Sequence, residues 1–206
     1  MIVIIDYDMG NVGSIANMIK HVDGKSTISN DKAVIESATK LILPGVGAFD
    51  TGMHNIEHLG LLDVLNKKVL VDKTPILGIC LGMQLLGKRS EEGTRAGLGW
   101  IDAETVRLPS STPDIPKLRI PHMGWNNATP TKSEKLLEGI TETPRFYFVH
   151  SYHVVCNDPQ DVLTKTTYGI PFTSAVSRHN ILGTQFHPEK SHSFGIKLFH
   201  NFVHEI

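Results

Sequence analysis

The chain predicts an α/β fold: a mostly parallel central sheet flanked by helices, with an antiparallel extension. Two observations carry this. In the first half, short apolar runs alternate with helix-patterned segments, the βαβα rhythm of a parallel sheet covered on both faces. In the second half the helical signal fades, and short strands follow one another through brief turns. The 206 residues suit one domain over positions 1–206, long enough to bury a real core.

The elements follow in order. Ile2–Ile5 is a continuous apolar run, hence a buried strand. A glycine-containing turn leads to a helix near Asn11–His21. Lys40–Leu43 is a second strand. Helical segments cover Gly52–Asp72, with a break expected at Gly60. Pro75–Ile79 is another buried strand, and Met83–Leu86 begins a helix. Beyond it, Trp100–Leu108, Arg145–His150, His153–Cys156, Val162–Tyr168, Phe172–Ser177 and Ile181–Phe186 read as strands. Pro109–Pro113 is a loop on turn chemistry. The last helix, Ser193–Ile206, carries Phe194, Leu198, Phe199, Phe202 and Val203 at helical spacing.

Composition narrows the function. Twenty basic and 21 acidic residues leave a formal net charge of −1 with no basic block, so nucleic acid is not an expected partner. The two cysteines, Cys80 and Cys156, provide no disulfide framework, and a free thiol fits a reducing cytoplasm. Met1–Ile5 is too short for a signal peptide, and no apolar stretch is long enough for a bilayer.

One constellation carries chemistry. Gly78-Ile79-Cys80-Leu81-Gly82 joins a strand to a helix, the cysteine form of a nucleophile held on a sharp turn. Side chains at 78 and 82 would crowd that turn and the approach of a substrate carbonyl. The helix N-terminus favours thiolate over thiol, and the backbone N–H of Leu81 is placed to meet a developing oxyanion. Far downstream, His187-Pro188-Glu189 offers the base. A residue before proline is extended, and residues two apart in extended chain share a side, so Glu189 is expected to orient His187. Taken singly, Cys80 reads as a buried core thiol and His187 as a loop residue. The glycines and the H-x-E spacing together favour Cys80, His187 and Glu189 as catalytic.

Other positions stay open on residues alone. Pro44-Gly45-Val46-Gly47 is either an ordinary turn after a strand or a loop that swings an N–H toward a carbonyl. Gln84, one helical turn after Cys80, faces either the same pocket or solvent. His122, His150 and His153 lack metal-ligand spacing, so no metal is expected. Gly10-Asn11-Val12-Gly13 lacks a full dinucleotide fingerprint and reads as a loop and helix start. Cys156 reads as a packed strand residue.

Five segments in order make a resemblance specific: LPGVGAF at 43–49, GICLGMQ at 78–84, PHMGWN at 121–126, YFVHSY at 147–152 and QFHPEKS at 185–191. This set, covering nearly the whole chain, resembles the class I glutamine amidotransferases, with their flavodoxin-like sheet. Within them it is similar to the glutaminase subunits of imidazole glycerol phosphate synthase.

The resemblance implies hydrolysis of L-glutamine by a Cys80–His187–Glu189 triad with no cofactor. It implies Gly47 as an oxyanion donor beside Leu81, with Gln84, Ser151 and Tyr152 at the substrate. It further implies a heterodimer with a cyclase subunit, a (β/α)8 barrel that receives the ammonia, and places His122, Asn126, Tyr147 and Lys190 at that interface. The family commonly has glycine where this chain has Asp8, a residue that tolerates left-handed backbone. Three other readings compete: a paralogue feeding ammonia to a sugar amidotransferase of surface-polysaccharide synthesis, a cysteine peptidase, and a non-catalytic α/β domain.

Overall fold

The computed structural model describes all 206 residues. Its first half places β1 (Ile2–Ile5), α1 (Val12–His21), β2 (Ser26–Ser29), α2 (Lys32–Glu36), β3 (Lys40–Leu43), α3 (Phe49–His58), α4 (Leu62–Asn66), β4 (Ile76–Ile79) and α5 (Leu81–Leu85). The strands β2, β1, β3 and β4 lie side by side in that order, all parallel. The chain then forms β5 (Arg89–Ser90), β6 (Ala103–Arg107), β7 (His122–Asn127), β8 (Thr129–Pro130), β9 (Arg145–His150), β10 (Tyr152–Cys156), β11 (Val162–Tyr168), β12 (Ile170–Arg178), β13 (Ile181–Thr184) and α6 (His192–His204).

Strand β13 returns to the middle of the molecule and pairs in parallel with β4. On its other side β12, β10 and β6 continue the sheet as antiparallel neighbours. The expected architecture, a mostly parallel sheet with an antiparallel extension, is therefore present. No helix is long and apolar enough to cross a membrane.

The pleat explains why the parallel strands read as unbroken apolar runs. Successive residues point to opposite faces. Val3 and Ile5 join one buried cluster with Met53, Ile56 and Leu65 of α3 and α4. Ile2 and Ile4 join the other with Ile15, Ile19, Leu198, Phe199 and Phe202 of α1 and α6. Helices cover both faces, so alternation with polar residues is not required.

Several boundaries differ from expectation. β2 and α2 are absent from the sequence reading, because Ser26-Thr27-Ile28-Ser29 is a half-buried edge strand with one apolar residue. The helical stretch after β3 begins at Phe49, breaks at Gly60 and ends in a π-helical turn over Lys67–Val71. β7, which the sequence marks only as part of a motif, is a strand paired with β9 in a separate two-stranded ribbon. The strand expected over Trp100–Leu108 is confined to Ala103–Arg107, and that expected over Ile181–Phe186 ends at Thr184. Asp8 does adopt the left-handed conformation, at φ 61°.

Candidate active site

Cys80 follows the last residue of β4 with φ 55° and ψ −110°. A side chain rarely holds that conformation, and it costs on the order of 1–3 kcal/mol. Packing holds it in place. The N–H of Cys80 donates to the Thr184 carbonyl at 2.7 Å, tying the turn to β13. A Cβ on Gly82 would lie 1.9 Å from the Leu43 oxygen, and one on Gly78 would lie 2.7 Å from the Gly82 oxygen. The glycines are thus needed for backbone to approach backbone: the crowding of the turn expected from the sequence is present, and the atoms a Cβ would meet are backbone. Helix α5 starts at Leu81, immediately after Cys80, and spans only five residues. Its electrostatic help is limited to the N–H groups of that first turn.

The β4–β13 register brings the second half of the site. Ile79 pairs with Thr184, so Cys80 and the chain beyond Thr184 leave the sheet together. His187 is extended, at φ −99° and ψ 93°. Pro188–Lys190 then forms a 3-10 turn, so Glu189 reaches the ring by a tight turn and not along extended chain. Glu189 Oε1 lies 2.7 Å from His187 Nδ1, with both side chains 2% exposed. This bond leaves Nε2, which is buried without a hydrogen-bond partner, for chemistry. Burial alone would lower the pKa of His187, but Cys80 and Glu189 outweigh it and raise the pKa to about 9. Cys156 is elsewhere, on β10, and burial, with Asp161 adding to it, pushes its thiol up to about 12.

A cleft of about 230 Å³ is lined by Cys80, His187, Leu81, Gly47, Gln84, Ser151 and Tyr152, among others. All the residues expected at nucleophile, base, oxyanion and substrate positions therefore meet around one cavity, except Glu189, which stands behind His187. A larger groove of about 1060 Å³ adjoins it at Pro121. Gln84 donates from Nε2 to Gln185 Oε1 at 3.0 Å and to the Tyr152 carbonyl at 3.3 Å. The Leu81 N–H donates to the Gly45 carbonyl at 3.3 Å. Gly47 has φ 125°, open to few residues but glycine.

Two polar residues beside Cys80, one behind the cleft wall and one lining it, carry no mark in the sequence that singles them out. Gln185 is fully buried, and its Nε2 lies 3.7 Å from Cys80 Sγ. The signal for it is an amide inside a mostly apolar run, Ile181–Phe186. Glu92 lines the cleft and accepts from the Phe49 N–H at 2.9 Å, and no local pattern marks it.

The four residues expected at a partner interface divide. Lys190 is exposed, with its Nζ 6.0 Å from the centre of the half-buried Tyr147 ring, and Asn126 is half-buried. His122 is a correction: only 3% exposed, it lies stacked on Tyr168 and Phe148 and offers a partner almost no surface. The exposed residues of its strand are Met123 and Trp125. The three histidines weighed as metal ligands do not converge on Cys80. His122 and His150 bond to each other, and His153 packs near Phe172.

A cysteine at positive φ at the end of a central parallel strand, facing a cleft shared with a buried His–Glu pair that follows the neighbouring strand, is the arrangement expected of an enzyme with a cysteine nucleophile. Comparison with known proteins agrees. The family model for glutamine amidotransferase class-I matches residues 3–206, and the chain belongs to that family. It is 57% identical over 203 residues to imidazole glycerol phosphate synthase subunit HisH 2 of Methanococcus maripaludis, covering 98% of both chains. It is 52% identical to subunit HisH 2 of Pseudomonas aeruginosa, again covering 98% of each. Subunit HisH of Leptospira interrogans is 44% identical, over 98% of this chain and 99% of that one. Among solved structures, one described as a glutamine amidotransferase superposes with a TM-score of 0.74 at 17% identity over 99% of both chains, a likeness of fold.

Proposed function

We propose that this chain is the glutaminase subunit of a two-subunit synthase, hydrolysing L-glutamine and passing ammonia to a cyclase partner of imidazole glycerol phosphate synthesis. The observation that carries the reading is Cys80 at φ 55°, sharing a buried cleft with a His187 held by Glu189. The kinship with HisH subunits supports the choice of partner.

The Cys80 thiolate attacks the side-chain amide carbon of glutamine. The carbonyl pair moves onto oxygen, giving a tetrahedral oxyanion. Its collapse breaks the C–N bond, and His187 delivers a proton from Nε2 so that ammonia leaves. A glutamyl thioester remains on Cys80. His187, now neutral, takes a proton from water, whose oxygen attacks the thioester and releases glutamate and the thiolate. Glu189 keeps Nδ1 protonated throughout and stabilises the charged ring. Gln84, Ser151 and Tyr152 hold the backbone end of glutamine.

The oxyanion donors in this scheme are Leu81 and the Gly47 segment. The Leu81 N–H is engaged by the Gly45 carbonyl, so the loop must move before it can serve. That supports a subunit nearly idle by itself and activated when a partner docks on the face carrying Trp125, Tyr147, Asn126 and Lys190. One oxyanion donor is worth roughly 10²–10³ in kcat, which bounds the activation.

The test is to replace Cys80 with alanine in the complex. Glutamine-dependent synthesis should vanish while ammonia-dependent synthesis continues. Glutamine hydrolysis by Cys80→Ala would overturn the assignment. A second reading is supply of ammonia to a sugar amidotransferase: the relatives at 57% and 52% identity are both named HisH 2, a numeral that marks a second such subunit and leaves room for a second acceptor. Activation by such an enzyme and not by the barrel cyclase would move the chain to that role.

A further inference from the structure

We propose that Asn126, His122 and His150 form a one-directional hydrogen-bond chain that locks the Tyr152 carbonyl, and with it the amide of Gln84, at the glutamine-binding end of the cleft. The inference rests on the glutaminase reading for its consequence, though not for its geometry.

The direction of each bond is forced. Asn126 Oδ1 accepts from the Asn127 N–H at 2.8 Å, and its Nδ2 donates to the Thr167 carbonyl at 3.0 Å, which fixes the amide. That same Nδ2 faces His122 Nε2 at 3.3 Å, so Nε2 must accept. A neutral ring with an accepting Nε2 carries its proton on Nδ1, and His122 Nδ1 lies 2.9 Å from His150 Nε2. His150 Nε2 therefore accepts, and its Nδ1 donates to the Tyr152 carbonyl at 2.8 Å. That carbonyl also receives Gln84 Nε2.

An added proton has no place. On His122 Nε2 it would oppose the Asn126 amide, and on His150 Nε2 it would oppose the His122 Nδ1–H. Both rings are buried, and burial lowers His122 to about 4 and His150 to about 3, in keeping with the geometry. A fully satisfied buried chain of this kind rigidifies what it holds.

The start of the chain lies on β7. The inward residues His122 and Asn126 alternate there with the exposed Met123 and Trp125. A shift of β7 therefore reaches Tyr152 through two imidazoles. In this scheme His122 and His150 are positioning residues that act on substrate through Tyr152 and Gln84.

The experiment uses the full chain with its partner. In 15N-edited spectra both imidazoles should show the Nδ1–H tautomer and stay neutral through neutral pH. An Nε2–H tautomer in either ring, or titration near neutrality, overturns the chain whatever the enzyme does. The functional arm replaces His122 with phenylalanine, which keeps the stacking on Tyr168 and Phe148 and removes both hydrogen bonds. Glutamine protection of Cys80 against a small alkylating agent should weaken roughly fivefold, about one hydrogen bond's worth. Alkylation without glutamine should keep the wild-type rate, and His122→Asn, which restores a donor near Nδ1, should recover part of the protection. Unchanged protection, or equal loss in the Phe and Asn variants, refutes the positioning role. Absence of protection by glutamine in the wild type would instead sink the glutaminase reading, with the tautomer result still deciding the chain.

Discussion

Two buried histidines line one cleft and behave in opposite ways. His187, at the end of the parallel block, is raised to about 9, and His150, at the end of the β7–β9 ribbon, is lowered to about 3. Burial acts on both in the same direction, against charge. What differs is the company. His187 has the Glu189 carboxylate on one nitrogen and Cys80 nearby. His150 has a backbone carbonyl on one nitrogen and a second imidazole on the other. A carboxylate can stabilise an imidazolium in a low-dielectric site, and a carbonyl with a neutral ring cannot match it. The same residue type thus favours the charged form at one place in the cleft and the neutral form at another, which suits the proton carrier and the neutral strut proposed above.

The sharpest way to break this contrast is to remove each ring in turn. His187→Asn should reduce glutamine hydrolysis by the complex on the order of 10³-fold or more, as for other triad members. His150→Phe should lower kcat far less and act mainly on the KM for glutamine. Comparable kcat losses in steady-state assays would erase the distinction.

Glu189→Gln tests the source of the difference. Losing a charge-assisted buried bond should cost roughly 10- to 100-fold in kcat, with a smaller change in KM. An unchanged kcat would make Glu189 a bystander.

The two rings should also mark opposite pH windows of stability. The raised pKa of His187 means that the folded state keeps a proton the unfolded chain gives up. Its contribution is complete below about 6.5 and is lost as pH rises through about 9. The lowered pKa of His150 means that the folded state refuses a proton. Stability is lost as pH falls from about 6.5 toward about 3. Denaturant titrations across pH should show the Glu189→Gln variant nearest to wild type at high pH and the His150→Phe variant nearest to wild type in acid. Parallel curves would refute the assignment.

The smallest effect belongs to Cys156. With its thiol pushed up to about 12, it should escape a glutamine-like electrophile that labels Cys80, and Cys156→Ser should leave activity unchanged. Mass spectrometry finding label on Cys156 first would reverse the two cysteines.

Local signals carried far in this chain. The apolar runs β1, β3 and β4 were visible because strands buried on both faces need no polar alternation. Cys80 was visible because its turn tolerates only glycine at 78 and 82, and the HPE run was visible because proline follows His187. These are constraints between neighbours, which a sequence states directly. Other features rest on partners far apart in the chain. Gln185 was unremarked because its amide acquires meaning only when β13 lies beside β4 and meets Gln84, 101 residues away. His122 reads as surface because its burial depends on Tyr168, Phe148 and His150, brought in by β9 and the tip of the β11–β12 hairpin. The sequence by itself determined the sheet class, the sharp turn at Cys80 and the closeness of Glu189 to His187, since neighbours within a few residues decide those, although the pair meets through a 3-10 turn and not along extended chain. Tertiary structure alone decided which histidine is pushed toward the charged form and which away from it, because a pKa answers to whatever groups the fold packs around the ring.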